Sequence, residues 1–98
     1  MSILHVVNKS PYEKNSLEVC IGYYQDGDAI LLIEDGVYAA MATGKFASAL
    51  AGKDLNVLRA DLSARGIADD KVVDGAKLVD YGGFVDLVGS HGKVQSWL

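Results

Sequence analysis

Short apolar runs separated by stretches with helical spacing constrain this chain more than any other feature. Ile3-Leu4-His5-Val6-Val7 and Ala29-Ile30-Leu31-Leu32-Ile33 are almost wholly apolar, and Asn56-Val57-Leu58-Arg59-Ala60 and Ala76-Lys77-Leu78-Val79-Asp80-Tyr81 have the same strand length. Continuous rather than alternating apolarity marks strands covered on both faces, as in parallel sheets. Between the first two runs, Asn15-Ser16-Leu17-Glu18 has the spacing of a capping box, and Leu17, Cys20, Ile21 and Tyr24 recur at i, i+3, i+4, i+7. Val37 to Ala42, then Phe46, Ala47 and Leu50, continue with helical spacing after the second run. Asp61 is placed to cap the turn Leu62-Ser63-Ala64-Arg65, with Gly66 where a left-handed residue would end it. Phe84-Val85-Leu87-Val88 marks a last helix, and Val94 to Leu98 forms either an edge strand or a docked tail.

Strands alternating with helices imply βαβ units joined by right-handed crossovers. The expected fold is α/β: one domain over residues 1–98, a small Rossmann-like or flavodoxin-like three-layer arrangement with a short, mostly parallel sheet. The chain has 98 residues, half of them hydrophobic, and this supports one core. With 9 basic and 13 acidic residues, the net charge is −4. That balance, without a basic patch, argues against nonspecific nucleic-acid or anionic-membrane binding. The start lacks a basic n-region, no segment approaches the roughly 20 apolar residues of a spanning helix, and a lone cysteine fits a reducing compartment. The expected location is cytoplasmic.

Motifs that carry chemistry are scarce. Eleven glycines include no G-x-G-x-x-G after a strand and no G-x-x-x-x-G-K-[ST]. Lys9-Ser10-Pro11 makes a poor phosphate cradle after the first strand, and Asn8 stands where a phospho-acceptor receiver would carry acidic residues. Cys20, His5 and His91 lack the paired spacing of a zinc site, and no metal or organic cofactor is expected. Asp26-Gly27-Asp28 and Asp69-Asp70 read as turns.

Cys20 is the one candidate catalytic side chain. Its place on the stripe with Leu17, Ile21 and Tyr24 reads as core packing; the functional alternative, a persulfide or redox thiol, needs a lowered pKa and an open approach. His5, in mid-strand among apolar residues, reads as a hydrogen-bonded core histidine, and a Cys20–His5 pair is the sharper hypothesis. His91, between Ser90 and Gly92, reads as a solvated loop residue. Asp35, Gly36, Val37 and Tyr38 follow the end of the second strand, where open α/β sheets carry functional loops. With Trp97 near the terminus, they are the candidate partner contacts, because aromatic anchors concentrate at interfaces.

These residues, taken in order, resemble the DsrH/TusB family. The resemblance rests on Leu4-His5 with Ser10-Pro11, Asp35-Gly36-Val37 with Ala39-Ala40, Asp61-Leu62-x-Ala64-Arg65-Gly66, Asp80-Tyr81-x-x-Phe84-Val85 and Gln95-x-Trp97. It implies a small subunit of a cytoplasmic heterohexameric persulfide relay. The partners would be DsrE/TusD-like and DsrF/TusC-like homologous subunits, with a DsrC/TusE-like sulfur carrier meeting the complex. The principal sulfur-carrying cysteine would belong to the DsrE/TusD-like chain, leaving Cys20 as a secondary persulfide site. A cysteine in the first helix points to the DsrEFH branch of dissimilatory sulfur oxidation. The alternative is a TusB-type, non-catalytic scaffold in the complex for 2-thiolation of the tRNA wobble uridine.

Overall fold

A computed structural model describes residues 2–97. Five strands, β1 (Ile3–Val7), β2 (Ala29–Leu32), β3 (Leu55–Leu58), β4 (Lys77–Val79) and β5 (Lys93–Trp97), form one parallel sheet in the order β4-β3-β2-β1-β5. The helices are α1 (Ser16–Tyr23), α2 (Ala47–Leu50), α3 (Arg59–Ala64) and α4 (Tyr81–Ser90), with a 3₁₀ segment over Glu34–Ala40 after β2.

This order follows from crossover handedness. From β1 to β4 the chain steps one strand at a time in one direction, so right-handed crossovers lay α1, the 3₁₀ segment, α2 and α3 on one face. After β4 it turns back past three strands to β1's free edge, and the same handedness puts α4 on the opposite face. Burial agrees. The larger core gathers Val7, Leu17, Cys20, Ile30, Leu32, Val37, Leu50 and Leu62, and the smaller sets Leu4, Val6, Ala29 and Leu31 against Phe84 and Leu87. The three-layer α/β expectation holds, with a sheet that is wholly parallel.

Several local expectations need correction. The third strand ends at Leu58, because Arg59 and Ala60 already belong to α3. Asp61 lies inside that helix and caps nothing there; its carboxylate accepts the Glu34 backbone N–H at 2.7 Å. Asn15 occupies the N-cap of α1 without a side-chain cap bond, so no capping box forms. The fourth strand stops at Val79, since Asp80 is the N-cap of α4 and accepts from Gly83 N–H at 2.7 Å. Gly66 does adopt the left-handed conformation, φ 71°, past the end of α3. Val94 to Trp97 form the edge strand rather than a loose tail; Leu98 lies outside the described residues.

The two faces are covered unequally. α4 contains no buried residue: Phe84 and Leu87 are half-buried on the sheet, while Tyr81, Val85 and Val88 are 64 %, 69 % and 40 % exposed. Their i, i+4, i+7 spacing makes a second apolar stripe pointing away from the sheet. Among the described residues, no helix is long and apolar enough to cross a membrane.

Candidate functional site

The polar centre of the molecule lies beneath α1, where β1, β2 and β5 run side by side. His5, in the middle of β1, is fully buried, and Asp28, just before β2, nearly so. The strand register sets Leu4 beside Ala29, which brings these two polar side chains together: His5 Nε2 lies 2.9 Å from Asp28 Oδ2. The carboxylate also accepts the Ile3 N–H at 2.9 Å and the Gln25 N–H at 3.1 Å. On the other side of the ring, the Trp97 indole Nε1–H points to His5 Nδ1 at 3.1 Å. An indole N–H can only donate, so Nδ1 must be the unprotonated nitrogen and Nε2 carries the proton given to Asp28. Two residues remote from each other in sequence, Asp28 and Trp97, thus fix one tautomer of the buried His5 imidazole.

Burial alone would raise the Asp28 pKa, but the hydrogen bonds from His5, Ile3 and Gln25 outweigh it and hold the carboxyl below its ordinary value. Tyr24 closes the end of this network: its hydroxyl donates to the Asp28 carbonyl at 2.9 Å and accepts the Asp54 N–H at 3.0 Å. A cavity of about 420 Å³ opens beside the pair, with Trp97, Tyr23, Lys93 and Gln95 around its mouth. The Trp97 ring lies nearly parallel to His5, centroids 6.0 Å apart and planes at 26°, and packs on Tyr23 at 5.5 Å.

Cys20 stands apart from this pair in chemical character. Its side chain is wholly buried in the larger core with Leu17 and Ile30. Desolvation, reinforced by the nearby Asp28 charge, pushes its thiol up from 9.0 to about 12. A thiolate nucleophile needs the reverse. His5 gives it no help: its protonated Nε2 serves Asp28 and its Nδ1 serves Trp97.

The other sequence candidates are scattered. Gly36 packs so tightly under β1 that an added Cβ would overlap the Val7 carbonyl oxygen, and Val37 is fully buried. Tyr38 is half-buried against the larger core. Asp35 is exposed and paired with Arg65 Nε at 2.9 Å. His91 caps the end of α4 through its Nδ1 and the Leu87 carbonyl, 2.8 Å apart. Among the described residues, no three His, Cys, Asp or Glu side chains converge as metal ligands.

Asp28 is the residue of this polar site that the sequence concealed. Asp26-Gly27-Asp28 is indeed a turn, but its last residue belongs to the core. The available signal was a polar residue abutting an apolar strand beside another strand that carries a mid-run histidine. The outward stripe of α4 was also legible, as apolar residues in excess of the single face that Phe84 and Leu87 need.

Comparison with known proteins places this architecture. Residues 9–94 match the family described as DsrH like protein. Proteins named Protein TusB are similar along almost the whole chain. Those of Pectobacterium parmentieri and Photorhabdus laumondii are 35 % and 37 % identical over 97 residues, covering 97 % of this chain and all of theirs. The Escherichia coli protein of that name is 30 % identical over the same span and coverage. Among solved structures, the ychN protein of E. coli superposes with a TM-score of 0.82 at 20 % identity, covering 98 % of both chains. A Methanobacterium thermoautotrophicum protein of unknown function gives 0.72 at 13 %, covering 96 % of both. At such identities these two speak for the fold alone. Family and relatives together support a subunit of a sulfur-relay complex, and the chain belongs to the DsrH-like family.

Proposed function

We propose that this chain is a supporting subunit of a cytoplasmic persulfide-relay complex, in which the working cysteine sits on a homologous partner. The observation that supports this reading is the setting of Cys20: fully buried, with its thiol pushed up to about 12, it is poorly placed to act as a nucleophile. The chain's contribution is assembly with DsrE/TusD-like and DsrF/TusC-like subunits, and the outward apolar stripe of α4 is surface available for that purpose. A DsrC/TusE-like carrier would meet the complex rather than this chain alone, with no direct nucleic-acid contact. The relatives named TusB weigh towards the complex for tRNA wobble-uridine 2-thiolation.

Cys20 itself favours a second reading, the DsrEFH branch of sulfur oxidation. There, a Cys20 thiolate would attack the terminal sulfur of a donor persulfide, releasing the donor thiolate, and its own persulfide would pass that sulfur to an acceptor thiolate. α1 would have to uncover the sulfur first. Intact masses of every chain, measured in the assembled complex after exposure to a persulfide donor without reductant, separate the two. The supporting role predicts a one-sulfur gain on a partner only. A reducible gain on this chain, lost in Cys20→Ser, would replace it with the second reading.

A further inference from the structure

The hydrogen bond from Trp97 to His5 exists in only one protonation state of the imidazole. The indole Nε1–H is a pure donor, and it is served by the lone pair on His5 Nδ1 at 3.1 Å. A second proton on the ring occupies that lone pair, leaving two N–H groups facing each other. The same proton strengthens the other side, where Nε2–H and the Asp28 carboxylate become a buried ion pair at 2.9 Å. Protonation therefore tightens one contact of His5 and abolishes the other.

We infer that His5 and Trp97 form a proton-operated lid: neutral His5 holds the indole down, and protonated His5 releases it and opens the adjoining cavity. The place of Trp97 makes release feasible. It ends the edge strand β5, is only half-buried, and borders a cavity of about 420 Å³ that can receive the displaced ring or water. Opening leaves the backbone ladder between β1 and β5 in place, because only the side chain swings.

The groups around the ring bear this out. From the start of β2, Asp28 is a carboxylate held below its ordinary range, the counter-charge to which a protonated Nε2–H would donate. From β5, Lys93 at the cavity mouth opposes it weakly across solvent. From α1, Cys20 is a neutral thiol, and Tyr23 packs on the Trp97 ring. At the end of α1, Tyr24 lies 6.2 Å from His5 ring to ring, but its hydroxyl already has a donor and an acceptor. Lys53 stands over the far side of Tyr24, 5.7 Å from its ring. None of these supplies the acceptor that a protonated Nδ1 would need; water entering from the cavity does.

Trp97 is the only tryptophan, so it reports on itself. The test follows acrylamide quenching of its fluorescence in the full chain from pH 8 to pH 5, with far-ultraviolet circular dichroism confirming that the fold persists. The expected result is a protected indole at pH 8 that becomes accessible at pH 5. In His5→Gln the amide can accept from Trp97 and donate to Asp28 without titrating, so the indole stays protected at both values. Quenching that ignores pH in the native chain, or an equal response in His5→Gln, overturns the lid. Should His5→Gln not fold, nitrogen NMR of the native chain decides. The His5 Nδ1 signal and the single indole N–H signal must change at one shared midpoint, and separate midpoints overturn the lid as surely.

Discussion

Asp61, on α3, accepts the backbone N–H of Glu34 at 2.7 Å across 27 residues, and Glu34 is the one non-glycine residue with positive φ, 50°, among those described. A left-handed glutamate is unfavourable on its own, so the carboxylate holds a strained turn where the chain leaves β2. Glu34→Gly is expected to raise stability by about 1 kcal/mol, since the strain goes and the N–H bond stays. Asp61→Ala should lower it by about 1–2 kcal/mol. Urea unfolding of both variants checks the pair, and a destabilised Glu34→Gly would contradict the assignment of strain.

Cys20 should be chemically silent while the chain is folded. At pH 8, a thiol reagent is expected to modify it only as fast as the protein unfolds, and at once in denaturant. Because its pKa rises from 9.0 to about 12, the folded state keeps a proton that the unfolded state gives up. Stability therefore falls as pH climbs from 9 towards 12. Cys20→Ala should lose that alkaline slope at a cost of about 1 kcal/mol for the small cavity. Rapid labelling of the native chain would refute the burial argument.

Asp28 governs the acid side. Its folded pKa lies below the ordinary 3.8, so its contribution is complete above that value and disappears as pH drops through the folded one. Asp28→Ala strands the His5, Ile3 and Gln25 donors and should cost about 3 kcal/mol or more near neutrality. Below the folded pKa the gap between variant and parent narrows. Denaturant midpoints of the two proteins from pH 2 to 7 measure that convergence.

Gly36 admits no side chain. Gly36→Ala drives a methyl into the Val7 carbonyl oxygen, and because that atom is backbone, β1 or the 3₁₀ segment has to shift. A loss of about 1–3 kcal/mol is expected from the overpacking. Calorimetric melting of the variant reads it directly.

Val85, 69 % exposed on α4, should matter only in company. Val85→Glu is expected to change the isolated chain's stability by less than about 0.5 kcal/mol while weakening capture of the homologous partner chains. Co-expression and pull-down test this. Undiminished assembly would move the interface to another face.

Periodicity exposed the framework of this fold because its strands and helices obey local rules. β1 and β2 are apolar on both faces, and Leu17-x-x-Cys20-Ile21 needs just one direction to bury. What escaped was non-local. Asp61 has the look of a cap in sequence, yet its carboxylate is used by a backbone group 27 positions away. Asp28 and Trp97 become partners of His5 only once register sets β2 and β5 on either side of β1. Gly36 carries no pattern at all; its necessity comes from a carbonyl delivered by another strand. The Cys20–His5 pairing failed for a similar reason, because both nitrogens of His5 are spoken for by residues remote in sequence.

The pairing of Ile3–Val7 with Lys93–Trp97 has a bearing on how the molecule comes into being. Until residue 97 is available, β1 has an open edge and His5 lacks its indole cover. The earlier strands can assemble stepwise as they are made, but the sheet is sealed by a contact spanning 92 residues. Such a closure is slow relative to local helix formation, since the whole intervening chain must be ordered first. In the interval, the nascent chain presents an apolar strand edge of the kind that invites pairing with another molecule.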